Sequence, residues 1–235
     1  MTTPKTDTAI TEEEELDPKL LAELHLAAGR YEDALPYIST MVDGSSCFLA
    51  SALVVRSSTL VKLERLPEAL LDVERAIALR PPDLGLLCQA RGNRAWLLAR
   101  AGRYEESLAE SDRALDVAPA DAGLESRLRL NRALALSKLG RREESWADYD
   151  RALELAPGDP AIRYDRACVL ARERRFAEAL EELGLAVVAE PGRRGMALAD
   201  PDFDGLAADA EFGPQFGRLV GGGTGSPRPR SGRAN

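Results

Sequence analysis

Four cations recur at one place in this 235-residue chain: Lys62, Arg100, Lys138 and Arg172 each stand two residues before a tight turn. A row of such charges would draw in acidic side chains or a C-terminal carboxylate. At the C-terminus of a helix the same residues complement the macrodipole, each worth about 0.3–1 kcal/mol. Seven positions earlier lie Asn93, Asn131 and, in the last copy, Asp165. An amide carries both a donor and an acceptor, so it can satisfy a peptide unit of any sequence, or equally bridge to a neighbouring helix. Trp96 and Tyr164 fall on the same segments and are candidate aromatic anchors.

Another column holds Arg56, Arg94, Arg132 and Arg166, followed eighteen residues later by Glu74, Asp112, Asp150 and finally Gly184. A cation and an acid at constant separation predict a ladder of ion pairs between paired helices, each Arg reaching its own acid or that of the preceding copy. Catalysis finds little support. There is one histidine, His25, and three isolated thiols, Cys47, Cys88 and Cys168. These counts disfavour metal clusters, disulfide frameworks and triads that need a distant imidazole. The tail run GGGTGSPRP lacks the Lys and the following helix of a phosphate loop. Paired acids such as Glu105–Glu106 and Glu143–Glu144 open helices, where the dipole favours negative charge. The expectation is a non-catalytic protein with no cofactor and no metal.

The formal charge of −8 and pI of about 5.0 argue against a nucleic-acid partner. The N-terminal run MTTPKTDTAITEEEELDP has no apolar core, and no later run approaches the length that spans a membrane. The chain is expected to be cytoplasmic.

What positions these columns is a repeat. Residues 102–119 read GRYEESLAESDRALDVAP and residues 140–157 read GRREESWADYDRALELAP, twelve of eighteen identical at an offset of 38. Aligning Ala34, Ala69, Ser107, Ser145 and Ala179 gives five copies at intervals of 35, 38, 38 and 34. Seven residues after these come Met41, Ala76, Ala114, Ala152 and Ala186; five further on are Ser46, Pro81, Pro119, Pro157 and Pro191. Each copy thus predicts two helices: the first ends at a turn (Gly29, Gly102, Gly140) that takes a left-handed residue, the second before a proline. Small residues mark where the two helices meet, and no single copy can bury its own apolar face. The longer intervals predict that the first helices of copies three and four gain about one turn.

Asn131-Arg132, the run Asp148-Tyr149-Asp150-Arg151-Ala152-Leu153 and Pro157 resemble the tetratricopeptide repeat in the form common in bacteria, N-R-x7-G-x-Y-x-x-A followed by D-Y-D-x-A-L-x-L-x-P. The resemblance covers about residues 16–191 and departs from the pattern at Leu66 and Arg142, which replace the turn tyrosine. It implies an all-α, right-handed superhelical solenoid with units at about 16–46, 51–82, 86–120, 124–158 and 160–191. Capping helices over 192–220 would carry Phe203, Leu206, Phe212, Phe216 and Leu219, between an acidic disordered tail (1–15) and a basic one (221–235). It further implies that the asparagine and Lys/Arg columns line a concave groove. Lys62, Asn93, Trp96, Arg100, Asn131, Lys138, Tyr164, Asp165 and Arg172 would then hold an extended, partly acidic segment of another protein. The family's carboxylate clamp is not reproduced: its register here offers Gly92, Trp96, Asn131, Ala161 and Asp165, of which only the asparagine fits. A permanent subunit of a larger assembly, binding through the convex face or the cap, is the alternative.

Overall fold

The computed structural model describes residues 17–44, 49–117 and 121–221. The expected tails, Ser46, Cys47 and Pro119 lie outside them, apart from Gly221, which ends the last helix. The described residues are helical hairpins without strand, in two compact units that divide at Pro119.

The first unit holds α1 (Pro18–Ala27), α2 (Tyr31–Gly44), α3 (Leu49–Lys62), α4 (Leu66–Ala78), α5 (Leu84–Arg100) and α6 (Tyr104–Asp116). The second holds α7 (Ala122–Lys138), α8 (Arg142–Leu155), α9 (Pro160–Arg172) and α10 (Phe176–Ala189). After these come α11 (Arg193–Ala199), a 3-10 turn (Pro201–Phe203), α12 (Asp204–Ala207) and α13 (Gly213–Val220). As the longer intervals require, α5 and α7 have 17 residues each against 14 in α3 and 13 in α9.

Local chemistry draws the same hairpin five times. The first helix of four copies is capped by an aspartate (Asp17, Asp83, Asp121, Asp159) whose carboxylate accepts a backbone N–H of the first turn. Its other end closes through the two backbone bonds of a Schellman turn: Gly102 N–H donates to Ala99 C=O (3.0 Å) and Arg103 N–H to Leu98 C=O (2.9 Å). Gly29, Gly102 and Gly140 take φ of 69°, 75° and 75° there, while Glu64 and Arg174 adopt the same left-handed turn at 57° and 60°. The next residue is always Arg, and in four copies it forms a two-pronged pair with a glutamate three positions on: Arg65–Glu68, Arg103–Glu106, Arg141–Glu144 and Arg175–Glu178.

Between the helices of each hairpin the aligned small residues are buried. Where the position is serine, its hydroxyl donates across to the partner helix, Ser107 to Ala95 C=O and Ser145 to Ala133 C=O, both at 2.8 Å. The hydroxyl is thereby satisfied without loosening the contact. In the second unit Phe203, Leu206, Phe216 and Val220 join Tyr164, Phe176, Leu183 and Val187 in one apolar core, with Phe212 and Leu219 at its margin. The short C-terminal helices therefore cover the face that α9 and α10 would leave open.

Candidate functional site

The ion-pair ladder exists: Arg94 and Arg166 reach the expected acids of the preceding copy, whereas the rungs within each hairpin lie two residues from the acids expected there. Arg56 pairs with Asp72 (2.6 Å), Arg94 with Glu110 (2.9 Å), Arg132 with Asp148 (2.6 Å) and Arg166 with Glu182 (3.0 Å), each acid sixteen residues after its arginine. Asp72, Glu110 and Asp148 are each only 2% exposed. At 100° per residue, a shift of two turns a side chain to nearly the opposite face of its helix. The acids at +16 therefore face the first helix of their own hairpin, and those at +18 face the next hairpin. Accordingly Glu74 meets Arg94 (3.3 Å), and Asp150 meets Arg166 (2.5 Å). Arg91 and Arg129 add second cations to Glu110 and Asp148, so each of these two buried carboxylates is held by charge-assisted bonds from at least two sides.

In the second unit the recurring cations end the neighbouring helices α7 and α9. Both Lys138 (3.7 Å) and Arg172 (2.9 Å) reach one oxygen of Asp202, in the turn Asp200-Pro201-Asp202-Phe203 that follows α11. The other terminal nitrogen of Arg172 donates to Ser137 Oγ at 2.6 Å. Asp200 accepts from the Tyr164 hydroxyl (3.0 Å), from the Cys168 thiol (3.6 Å) and from the backbone N–H of Asp202 (3.0 Å). Phe203 is buried edge-on to Tyr164 (5.8 Å) and stacked on Phe216 (5.6 Å). The chain has docked its own acidic segment on these cations.

That docking corrects the reading of Tyr164. It is not an exposed anchor: it is 4% exposed, beneath the turn, with the Arg193 guanidinium 5.3 Å from its ring. Asp165 sits beside the same turn. Burial pushes its carboxyl up to about 7, with Asp200 and Asp159 adding to the shift and Arg193 and Arg172 opposing it. Asn131 is half-buried on α7 and is not without a partner.

The first unit presents the corresponding cations uncovered. Lys62 ends α3, Arg100 ends α5, and these two helices pack together. Both residues are exposed, and among the described residues no carboxylate pairs with either. The Arg100 guanidinium lies 5.7 Å from the Trp96 ring, which rests half-buried against Leu60, Val73 and Leu97. Asn93 Nδ2 donates to Ser58 Oγ at 3.3 Å, so this amide bridges α5 to α3. Sequence reasoning placed these residues on one face but missed Ser58, Ser137 and above all Asp202. A signal for the last was the acid pair of D-P-D-F, standing where the repeat register ends.

Among the described residues the two thiols and the histidine are otherwise engaged. Cys88 is buried and its thiol lies 3.4 Å from Ala114 C=O; Cys168 is buried against Asp200, and burial pushes both thiols up. His25 stacks on Tyr37 at 5.5 Å with Asp33 at 3.7 Å. Cys168, Asp200 and Asp202 bring three potential ligand atoms within 4.8 Å. That set is already neutralised by Arg172 and Lys138, and its sulfur is a protonated donor, so the residues fit hydrogen bonding rather than a metal ion. Among the described residues no helix is long and apolar enough to cross a membrane.

Stacked two-helix units with small residues at the crossings, Schellman turns and interhelical ion pairs define an α-helical repeat protein. Residues 130–194 match the tetratricopeptide repeat family model. Those residues carry tetratricopeptide repeats, and the described residues have the fold of a tetratricopeptide solenoid. Its fold is similar to that of TTC0263, a thermophilic tetratricopeptide protein of Thermus thermophilus, with TM-score 0.58, 25% identity, and 77% of this chain and 94% of that one covered. It is also similar to PilW, a type IV pilus biogenesis factor (0.59, 21% identity, 87% and 84%). A third similar structure is YrrB, described as having an unusual peptide-binding site (0.50, 20% identity, 78% and 91%). A comparison with curated proteins found no match. The family is in general a non-catalytic protein-interaction fold, so the chain has the architecture of an interaction scaffold.

Proposed function

We propose that this protein is a non-catalytic adaptor that holds an extended, partly acidic segment of another protein against the recurring cations and amides of its first helices. The observation that carries this reading is the cis contact of Asp202 with Lys138 and Arg172: this face takes an acidic stretch of chain, there wound as a short 3-10 turn. Asn93 and Arg100 supply the backbone and charge contacts of such a complex, and Trp96 its anchor. Protein rather than nucleic acid or lipid fits the formal charge of −8. The thiols of Cys88 and Cys168, free among the described residues, suit the cytoplasm.

The test is to compare what co-purifies from the native host with the wild-type chain and with Asn93→Ala/Arg100→Glu. Loss of a defined partner from the variant supports the adaptor reading, and full retention rejects it. A second reading, a fixed subunit of an assembly, is favoured by exposed apolar side chains on α10 and α11: Leu185 (45%), Val188 (80%) and Met196 (50%). Under that reading Val188→Asp, not the Asn93/Arg100 variant, releases the partner.

A further inference from the structure

We propose that the face formed by Lys62, Trp96 and Arg100 in the first unit recognises a Pro-Asp (or Pro-Glu) step in a partner segment, its carboxylate bridged by Lys62 and Arg100. This deepens the adaptor reading above and rests on it.

The two units repeat one register of cations. Lys138 and Arg172 close α7 and α9 immediately before the same Schellman turn that follows Lys62 and Arg100 on α3 and α5. Each pair therefore comes from the first helices of successive hairpins, at one level along those helices. In the second unit that geometry lets two cations share one oxygen of Asp202, at 3.7 and 2.9 Å. In the first unit the same two places hold Lys and Arg again, exposed, and the described residues bring them no carboxylate. Their neighbours Arg56, Arg91 and Arg94 all have acids. Two cations at these equivalent places are complementary to one carboxylate supplied from outside.

What precedes the carboxylate follows from the residue four positions before the second cation. In the second unit that residue is Cys168, and it donates to Asp200, the first acid of Asp200-Pro201-Asp202. In the first unit it is Trp96. An indole offers an apolar surface in place of a donor thiol, so the face loses its preference for the first acid and gains one for the proline ring and the residues beside it. Proline also fixes φ in the segment before it binds, as at the start of the 3-10 turn Pro201–Phe203, which lowers the entropy lost on docking.

The probe is a fluorescently labelled peptide with the chain's own sequence LADPDFDG (198–205), titrated into the full-length protein. Binding that falls at least tenfold with Lys62→Glu/Arg100→Glu, and again when the peptide's second aspartate is replaced by asparagine, supports the proposal. The milder pair Lys62→Gln/Arg100→Gln should weaken binding in the same direction and guards against a folding defect, which circular dichroism would reveal. Binding that is equal in the charge-reversed protein overturns the proposal, because the peptide would then be displacing the segment docked in the second unit. Absence of binding to the wild type also overturns it. In that event the adaptor reading stands if the host partner still depends on Arg100, and falls with it if that dependence is also missing.

Discussion

Asp202 and Arg172 meet at 2.9 Å, thirty residues apart in sequence, and this contact ties the turn after α11 to the end of α9. Because Lys138 reaches the same oxygen, one carboxylate fastens the C-terminal helices to two successive hairpins. All three side chains keep some exposure to water (28%, 21% and 31% for Arg172, Asp202 and Lys138). Asp202→Asn is therefore expected to cost about 1 kcal/mol of stability, measured by urea denaturation at constant m. Proteolysis between α11 and α13 should accelerate in the same variant, and an unchanged cleavage rate would show that the apolar core around Phe203 suffices.

Glu110 carries a larger cost. Its carboxylate is 2% exposed and receives Arg91, Arg94 and Arg113 at once. Glu110→Ala leaves partly buried guanidiniums uncompensated, and about 3 kcal/mol of stability should be lost. Asp112→Ala, two residues on and half a turn away, should cost much less. Equal losses would contradict the assignment of the main rungs to the +16 acids.

Asp165 makes stability depend on pH in the direction opposite to a salt-bridged acid. Its folded value of about 7 lies above the ordinary 3.8, so the folded state holds the proton more tightly than the unfolded chain. The contribution is full at acid pH and is lost as pH rises through about 7. Asp165→Asn should raise stability at pH 8, by up to about 4 kcal/mol at about 1.4 kcal/mol per pKa unit, and change little at pH 4. Chemical denaturation at the two pH values reads the difference, and an equal effect at both would remove the explanation.

The turns allow a test by exchange in both directions. Glu64 and Arg174 hold left-handed φ of 57° and 60° without being glycine, in the turn that Gly102 occupies at 75°. Glu64→Gly and Arg174→Gly should each stabilise by about 1 kcal/mol, and Gly102→Ala should destabilise by a similar amount. No atom stands within 4 Å of the added methyl at Gly102, so its cost is conformational rather than steric. Thermal melts of the three variants give the signs.

The sequence alone determined the five hairpins, their turns, the extra turn in α5 and α7, and the small residues at the crossings. Each of these depends on residues near one another in the chain: a left-handed turn position, an aspartate cap, a proline stop, a helical period of about 3.6. It also placed the cations and amides at helix positions. Only tertiary structure decided what they touch. Which acid faces each arginine depends on the rotation of one helix against another, and a two-residue shift in spacing, invisible to composition, turns the side chain by about 200°. Tyr164 and Trp96 look equivalent as aromatic residues on first helices, yet a returning segment buries the first and none of the described residues covers the second in that way. Asp202 pairs with Lys138 and Arg172 because apolar residues beside it, Phe203 first among them, pull the chain back over α9 and fix where its carboxylate comes to rest. That last step joins residues far apart in the chain, and no local pattern records it.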